Sequence, residues 1–278
     1  MNITKQEYQR IRDFIYRKTG LFFEDRKLYF VQKRIEKRLE VLGLETTDDY
    51  IRELQFRDPK QIELQAFLNI LTTNETYFFR EFEQLAAFAE HCLTEICDRK
   101  KGLGSTKLRI WSAGCSTGEE PYTLGIIIKE MLENQKDWLI DILATDINTR
   151  VLKIAQNGIY EPRAIKDVPQ EYLERWFQSF TSNKYTVKPE IKKMCNFQIL
   201  NLMDRSALRK ITNVDFIFCR NVLIYFDNDS RKQVVSNFYD ILNPGGYIYL
   251  GHSESMTRIS SAFKIRRKGG YIVYQKPE

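Results

Sequence analysis

Residues 108–124, LRIWSAGCSTGEEPYTL, constrain the fold more than any other part of this chain. The stretch begins as a short apolar strand and continues through a turn of small residues between Gly114 and Gly118. Glu119 and Glu120 then open a helix, where negative charge meets the positive end of the helix dipole. A strand, a glycine turn and a helix N-terminus predict an α/β fold in which a nucleotide-like ligand approaches bare backbone.

A glycine turn alone is a weak indicator, because many such turns only let a strand pack closely against its helix. Two common nucleotide sites are excluded, however. No Gly-Lys-Ser/Thr follows the turn, so it is not a P-loop, and the dinucleotide pattern G-x-G-x-x-G is missing. Two acidic residues at the helix start would repel a pyrophosphate, and they favour a ligand with hydroxyls, amines or positive charge.

A second predicted strand, residues 138–144, is followed by an acid, Asp146. In open α/β sheets a ligand binds outside the carboxyl ends of the strands, where an acid hydrogen-bonds ribose hydroxyls. A carboxylate at this place could also cap the helix that is predicted to begin near Asn148. The pairing with the glycine turn favours the ribose.

The alternation of strands and helices continues to the end of the chain. Further strands are predicted at 197–200, 214–219 and 247–251, and the continuous apolar run of 214–219 is typical of a strand buried on both faces. Residues 263–267 and 271–275 form a closing hairpin across two glycines. A parallel sheet that ends in an antiparallel hairpin resembles the Rossmann-like sheet of class I methyltransferases.

Two other regions complete the predicted organisation. Residues 2–71 are predicted to be helical, and so are residues 75–101, so that the segment 74–80 would start a helix bridging two domains. We place the boundary between an N-terminal all-helical domain, 1–72, and a methyltransferase-like domain, 73–278. The α/β rhythm breaks at about 160–196, where short strands at 184–187 and 191–195 predict an inserted antiparallel β-subdomain.

Composition excludes several classes of protein. No apolar run approaches the ~18 residues of a membrane span, and the N-terminus lacks the apolar core of a signal peptide, so we expect a cytoplasmic protein without membrane insertion. The five cysteines are scattered without a C-x-x-C pair, and the chain has two histidines. We therefore expect neither a disulfide framework nor a metal site.

Positive charge is concentrated between residues 26 and 38. Lys33 and Lys37 are four residues apart, as are Arg34 and Arg38, on a predicted helix whose apolar stripe would face the core. We expect both pairs to lie on a face away from that stripe. Such a run is usually a solvated helix face, and contact with an acidic partner is the alternative.

Five segments in order make the chain resemble the CheR-type chemoreceptor methyltransferases over nearly its whole length. They are TTNETYFFR (72–80), STGEEPY (116–122), NL (201–202), FCRNVLIYF (218–226) and GHSE (251–254). The resemblance implies a protein-glutamate O-methyltransferase that serves receptor adaptation in bacterial chemotaxis. The implied cofactor is S-adenosylmethionine, with S-adenosylhomocysteine as product.

The resemblance also implies site residues. Arg80 and Tyr225 are expected at the reaction centre, where Arg80 would grip a carboxylate of the cofactor or of the substrate. Tyr225 would lie near the transferred methyl group, although core packing is also open to it. The family's cofactor contacts correspond to Asn74, Thr76, Arg80, Glu119, Asp146, Asn201, Leu202, Arg220 and Asn221. The methylation helices of membrane chemoreceptors are expected to contact Lys33, Arg34, Lys37 and Arg38.

The chemistry implied by the resemblance is simple. A glutamate side chain has a pKa near ~4.3, so the nucleophile is ionised at neutral pH and no general base is required. Two other functions compete: a class I methyltransferase for small molecules or nucleic acid, and a non-catalytic module that binds the cofactor. No basic stripe interleaved with aromatic residues is found, so we expect no nucleic-acid partner. The presence of Arg80 and Tyr225 disfavours a non-catalytic module.

Some members of the family bind a short peptide at the receptor C-terminus, which they add as a strand to the inserted subdomain. Those members resemble one another in a loop that contains glycine. The corresponding stretch here, residues 180–185, has no glycine and so lacks the backbone freedom that a docked peptide would use. We therefore expect no binding of such a peptide.

Overall fold

The computed structural model describes residues 3–132 and 137–278. The N-terminal part consists of helices α1 (Lys5–Thr19), α2 (Leu28–Leu42), α3 (Thr47–Arg52) and α4 (Ile62–Leu71). A capping box between Thr4 and Glu7 begins α1, and Gly20, with a left-handed φ of 73°, ends it. The helical region predicted for 2–71 is thus divided into separate helices, and residue 2 lies outside the described residues.

The apolar stripe predicted for α2 faces the core. Val31 and Ile35 are completely buried and Leu39 is nearly so. These side chains belong to one continuous core that includes residues of α1, α3 and α4 and also Trp111 and Ile217 of the α/β sheet. The helical domain is therefore packed directly against one face of the larger domain.

The segment that joins the domains is not the helix that the sequence predicts. Residues 72–81 have no helical structure. Phe79 and Glu81 adopt left-handed backbone angles, φ 59° and 57°, which a right-handed helix cannot contain. Phe78 is fully buried in this irregular conformation, so tertiary packing overrides helical propensity here. The helices that follow are α5 (Phe82–Ala87), a π-helical stretch (Phe88–Leu93) and α6 (Thr94–Gly102).

A central sheet forms the larger domain. Its strands are β1 (Lys107–Ala113), β2 (Leu139–Asp146), β6 (Cys195–Ile199), β7 (Val214–Cys219), β8 (Leu242–Leu250), β9 (Lys264–Lys268) and β10 (Tyr271–Gln275). They lie in the order β6-β2-β1-β7-β8-β10-β9. The pairs from β6 to β8 are parallel, and β10 and β9 close the sheet as an antiparallel hairpin. The predicted α/β fold with an antiparallel closing hairpin is confirmed.

Helices cover both faces of this sheet. They include α7 (Glu119–Met131), α8 (Thr149–Asn157), α12 (Arg205–Leu208) and α13 (Asn228–Ile241). On one face, the ring of Phe88 packs edge-on against Phe216 and Phe218 of β7. On the other, Trp111 of β1 packs edge-on against Phe238 of α13. Both layers are therefore filled with large aromatic side chains.

A smaller sheet is inserted between α8 and β6. Its strands β3 (Ile159–Tyr160), β4 (Phe177–Thr181) and β5 (Lys184–Val187) are antiparallel in the order β3-β5-β4, and short helices α9 (Pro162–Ile165), α10 (Gln170–Trp176) and α11 (Pro189–Lys192) accompany them. The strand predicted at 184–187 is β5. The strand predicted at 191–195 is wrong, because Pro189 starts a helical turn that buries Ile191, and residues from Cys195 on pair with β2 of the central sheet.

We also searched the described residues for membrane-spanning helices, disulfide bonds and groups of side chains that could bind a metal ion. No helix within 3–132 or 137–278 combines the length and the apolar character needed to cross a bilayer. All five cysteines carry free thiols, and Cys195 alone among them is not fully buried. Within the same ranges, no group of three or more His, Cys, Asp or Glu side chains is arranged to hold a metal ion.

Candidate active site

A cavity of about 490 Å³ opens at the carboxyl ends of β1, β2 and β7. Its walls come from the glycine turn, from the loop after β7, from residues 72–77 of the interdomain segment and from the N-terminal domain around residues 21–30. The predicted site residues that line it are Asn74, Thr76, Arg80, Asp146, Asn201, Leu202, Arg220, Asn221 and Tyr225. Residues that are far apart in the sequence thus meet in one place.

The turn after β1 leaves no room for a side chain at either of its two glycines. Gly114 has φ 90°, and a Cβ there would lie 2.4 Å from Val222 Cγ2. Gly118 has φ 95°, and a Cβ there would lie 2.8 Å from the Cβ of Ala155. The N–H of Gly114 donates to the carbonyl of Thr145 at 2.8 Å, which fixes the turn to the end of β2. The turn therefore needs glycine at both ends and presents backbone to the cavity.

Asp146 is held rigidly at the end of β2. Its carboxylate accepts hydrogen bonds from the backbone N–H groups of Ser116 and Asn148, both at 2.9 Å. Burial raises the pKa of Asp146, and these two hydrogen bonds act in the opposite direction. The helix cap is Asn148, whose side chain accepts from the N–H of Arg150 at 2.9 Å. Capping is thus assigned to Asn148, and Asp146 belongs to the cavity wall.

Glu119, predicted to contact the cofactor, is buried at the start of α7 and is not among the residues that line the cavity. The residue is 3% exposed, and its carboxylate accepts only from the hydroxyl of Thr117 among the described side chains. Burial raises the pKa of Glu119 to about 7. Glu120 lines the cavity instead, accepting from Ser112 Oγ at 2.7 Å and pairing with Arg220 at 3.2 Å. Consecutive helical residues point about 100° apart, so the two glutamates have different surroundings.

Arg220 is a buried cation between two acids. Its side chain is 4% exposed and lies 3.4 Å from a carboxylate oxygen of Glu81 and 3.2 Å from one of Glu120. It also donates to the backbone carbonyl of Arg80. The guanidinium therefore ties the interdomain segment to α7 and to the end of β7. Neither Glu81 nor Glu120 was predicted, because only the fold brings them beside Arg220.

Arg80 and Tyr225 face the cavity from different segments. Arg80 donates to the carbonyl of Glu75 at 2.9 Å, and its guanidinium carbon lies 5.8 Å from the ring centroid of Tyr77. The hydroxyl of Tyr225 donates weakly to the carbonyl of Thr73 at 3.4 Å. Burial raises the pKa of Tyr225, so its hydroxyl remains protonated at neutral pH.

Three predicted asparagines occupy different parts of the wall. Asn201 donates from Nδ2 to the carbonyl of Lys18 at 2.8 Å, so it also bridges the two domains. The backbone carbonyl of Asn74 accepts from Ser116 Oγ at 3.4 Å. Asn221 has a left-handed φ of 59°, and within the described residues its buried Oδ1 has no hydrogen-bond partner. That oxygen is available to accept from a bound ligand.

The basic helix α2 differs from the expectation, since its arginines turn inward. The guanidinium of Arg34 lies 3.6 Å from the ring centroid of Phe30, and its Nε donates to the carbonyl of Ile70 at 3.4 Å. Arg38 donates to both oxygens of the buried Glu63, at 2.8 and 2.6 Å. Both arginines flank the buried stripe, and their long side chains reach groups inside the domain.

The lysines of α2 remain on the surface. Lys33 and Lys37 are exposed, and Lys33 pairs with Glu36 at 2.9 Å. Their helix begins directly after Arg26 and Lys27, which are exposed and line the cavity although sequence reasoning did not select them. Their position next to the site follows from domain packing, for which the sequence carries no local signal.

Together, the fold and the site define a class I S-adenosylmethionine-dependent methyltransferase. Three observations fit this cofactor. The glycine turn presents backbone to the cavity at Gly114, and the fixed carboxylate of Asp146 suits ribose hydroxyls. The unpartnered Oδ1 of Asn221 suits an amine donor of the cofactor.

Comparison with known protein families supports the assignment to the methyltransferases. Residues 6–72 match the family model described as "CheR methyltransferase, all-alpha domain", and residues 74–271 match "CheR methyltransferase, SAM binding domain". The chain belongs to the CheR methyltransferase family, and its cofactor is S-adenosylmethionine. The family resemblance and the cofactor predicted from the sequence motifs are confirmed.

Similar curated proteins carry matching names. A protein of Vibrio cholerae named chemotaxis protein methyltransferase 2 is 42% identical over 275 residues, which cover 99% of this chain and 94% of that protein. The chemotaxis protein methyltransferase of Borreliella burgdorferi is 35% identical, with coverage of 92% and 90%. That of Salmonella typhimurium is also 35% identical, with coverage of 98% and 90%. The likeness therefore includes both domains.

Proposed function

We propose that this protein transfers the methyl group of S-adenosylmethionine to glutamate side chains of chemotaxis receptors in the cytoplasm. The products are glutamate methyl esters and S-adenosylhomocysteine, and the reaction serves sensory adaptation in bacterial chemotaxis. The family and the names of its relatives support a methyltransferase of chemotaxis. The choice of a carboxylate acceptor rests on the chemistry of the cavity.

The observation that carries this choice is the presence of two cations, Lys27 and Arg80, in the cavity wall. Arg26 also lines the cavity but pairs with Glu24 at 2.6 Å, the wall carries further acids such as Glu75, and neither His91 nor His252 belongs to its described lining. An amine or hydroxyl acceptor must lose a proton before or during methyl transfer, so it profits from a general base. A glutamate with a pKa near ~4.3 is already ionised and needs positive charge to hold it. Of these acceptors, the carboxylate is the one that Lys27 and Arg80 can hold without removal of a proton.

The reaction requires positioning more than acid–base chemistry. The bound cofactor supplies an electrophilic methyl group on a sulfonium. Asp146 and Asn221 hold the cofactor's polar groups, Arg80 grips the carboxylate, and Tyr225 places its ring and hydroxyl beside the reacting atoms. Alignment of nucleophile and electrophile contributes up to ~7–11 kcal/mol in well-oriented systems.

Surface charge supports docking of an acidic receptor helix. Lys33 and Lys37 are exposed on α2, and Lys27, exposed directly before α2, lines the cavity beside Arg26, which pairs with Glu24 at 2.6 Å. From Lys27 to Lys37 the helix advances about 15 Å, or roughly ten residues of a partner helix. Phe22, 41% exposed, adds an apolar contact at the mouth. In this proposal Arg34 and Arg38 stabilise the domain, and the lysines contact the receptor.

The inserted sheet does not bind the C-terminal peptide of a receptor. The connection between β4 and β5 consists of Ser182 and Asn183, without glycine. Titration of the full-length protein with the C-terminal peptide of a receptor tests this part. Saturation at low-micromolar peptide would contradict it.

One assay tests the main proposal. The protein is incubated with S-adenosylmethionine labelled in the methyl group and with membranes that contain chemoreceptors. We expect label on the receptor that is released by mild base, as carboxyl methyl esters are. Label on nucleic acid, on a small molecule, or on protein in a base-stable form would support another class I methyltransferase. No transfer with cofactor bound would support a module that only binds the cofactor.

A further inference from the structure

Behind the cavity, the carboxylate of Glu254 accepts hydrogen bonds from the loop that follows β7. Its Oε2 accepts from the N–H groups of Asn221 at 2.8 Å and Gly251 at 2.7 Å, and its Oε1 accepts from the N–H of Ile224 at 3.2 Å. Burial raises the pKa of Glu254, and these backbone donors act against that shift. One side chain thus joins the ends of two neighbouring parallel strands, β7 and β8.

The loop held in this way has an unusual backbone conformation and is tightly packed. Asn221 has a left-handed φ of 59°, a region that residues other than glycine adopt uncommonly and asparagine more readily than most. A Cβ at Gly251 would lie 2.7 Å from the nitrogen of Asn221 and 2.9 Å from Oε2 of Glu254. Backbone, carboxylate and glycine therefore fit together with no spare space.

The same loop carries part of the active site. Arg220, Asn221 and Tyr225 all line the cavity, and they lie within six consecutive residues after β7. Two of the three N–H groups that Glu254 accepts from, those of Asn221 and Ile224, belong to this stretch. Asn221 is thus bonded directly to this carboxylate, and Tyr225 directly follows Ile224, which is bonded to it as well.

We infer that Glu254 is a positioning residue for methyl transfer: its carboxylate fixes residues 220–225 so that Asn221 meets the cofactor and Tyr225 meets the reacting carboxylate. The role of Tyr225 in this inference rests on the proposed function. The role of Asn221 rests only on cofactor binding. Glu254 itself touches neither ligand in this account, and it acts through the backbone of the loop.

Two substitutions separate these effects. Glu254→Gln keeps the size of the side chain and one acceptor oxygen, but its NH2 group faces a backbone donor, so the loop is displaced near Ile224. We expect kcat to fall about 100-fold, as for a misplacement of about 1 Å, while KM for the receptor stays within about twofold. Glu254→Ala removes all three hydrogen bonds, and we expect at least about a tenfold weaker affinity for S-adenosylhomocysteine.

Controls make the test decisive. Glu254→Asp keeps a charged acceptor, so its kcat should exceed that of Glu254→Gln, and Glu90→Gln changes an exposed acid away from the cavity and should leave all constants unchanged. Wild-type kcat in folded Glu254→Gln, or wild-type cofactor affinity in Glu254→Ala, would overturn the inference. A change in receptor KM with unchanged kcat would also overturn it. If wild type does not methylate receptors, the proposed function fails, and titration of Glu254→Ala with S-adenosylhomocysteine still decides the cofactor part.

Discussion

Replacement of Glu119 by glutamine should stabilise the protein against unfolding relative to wild type, and this gain should be larger at pH 8 than at pH 5. Burial holds the pKa of Glu119 at about 7 in the fold, against 4.5 for an ordinary glutamate. A raised carboxyl pKa means that the folded state binds the proton more tightly, so the stability it contributes is present at low pH. That stability is lost as pH rises through 7, when a negative charge must be buried.

The magnitude follows from the two pKa values. Each pKa unit corresponds to about 1.4 kcal/mol, so ionised Glu119 costs about 3 kcal/mol at pH 8. At pH 5 most of this cost is absent, because the folded protein holds the carboxyl in its neutral form. Glu119→Gln removes the charge, so its advantage over wild type should be about 2.5 kcal/mol larger at pH 8 than at pH 5.

Urea unfolding, followed by tryptophan fluorescence at both pH values, measures this difference. The comparison between pH values cancels effects of the substitution that do not depend on ionisation. Glu90→Gln, at an exposed position, is the matched control and should show no such difference. If the advantage of Glu119→Gln is the same at pH 5 and pH 8, burial does not perturb this carboxyl and the reasoning is refuted.

Three further predictions concern ligand and receptor binding. Calorimetry on Asp146→Ala should show an affinity for S-adenosylhomocysteine lower by about 1.5–3 kcal/mol, and unchanged binding in a folded variant would contradict the site. Arg80→Ala and Tyr225→Phe should melt near wild type but lose activity, whereas full kcat and KM in both would show that the reaction centre lies elsewhere. Reversing Lys33 and Lys37 to glutamate should raise the receptor KM without changing cofactor affinity. The wild-type KM for the receptor should rise with salt, because exposed charges are screened over ~8–10 Å. If the KM changes neither with salt nor on charge reversal, the exposed face of α2 contacts only solvent and does not bind the receptor.

Local patterns in the sequence predict those parts of the fold that local patterns determine. The apolar run 214–219 is β7, and the helix predicted to open at Glu119 begins there. Both features combine a strong periodic or compositional signal with clear boundaries. The glycine turn is equally predictable from the sequence, because the positive φ angles at Gly114 and Gly118 favour glycine.

The sequence was a poorer guide to which way a side chain points and to packing between segments that are far apart in the chain. The sequence does not fix the rotation of α7, so it could not show that Glu120, and not Glu119, faces the cavity. It also could not show that Arg38 reaches Glu63, since that ion pair joins two helices across the N-terminal core. The strand expected at 191–195 failed for a related reason, since burial of Ile191 against α7 outweighs its β propensity.

The most direct test of the central claim is to identify the atom that receives the methyl group. Receptor that has been methylated by this protein is digested, and the modified side chain is located by mass spectrometry before and after mild base treatment. We predict a methyl ester on a glutamate side chain, which base removes and whose yield falls at least about tenfold when Asp146→Ala replaces wild type at limiting cofactor. A methyl group on an amine, a hydroxyl or a nucleobase would contradict the account.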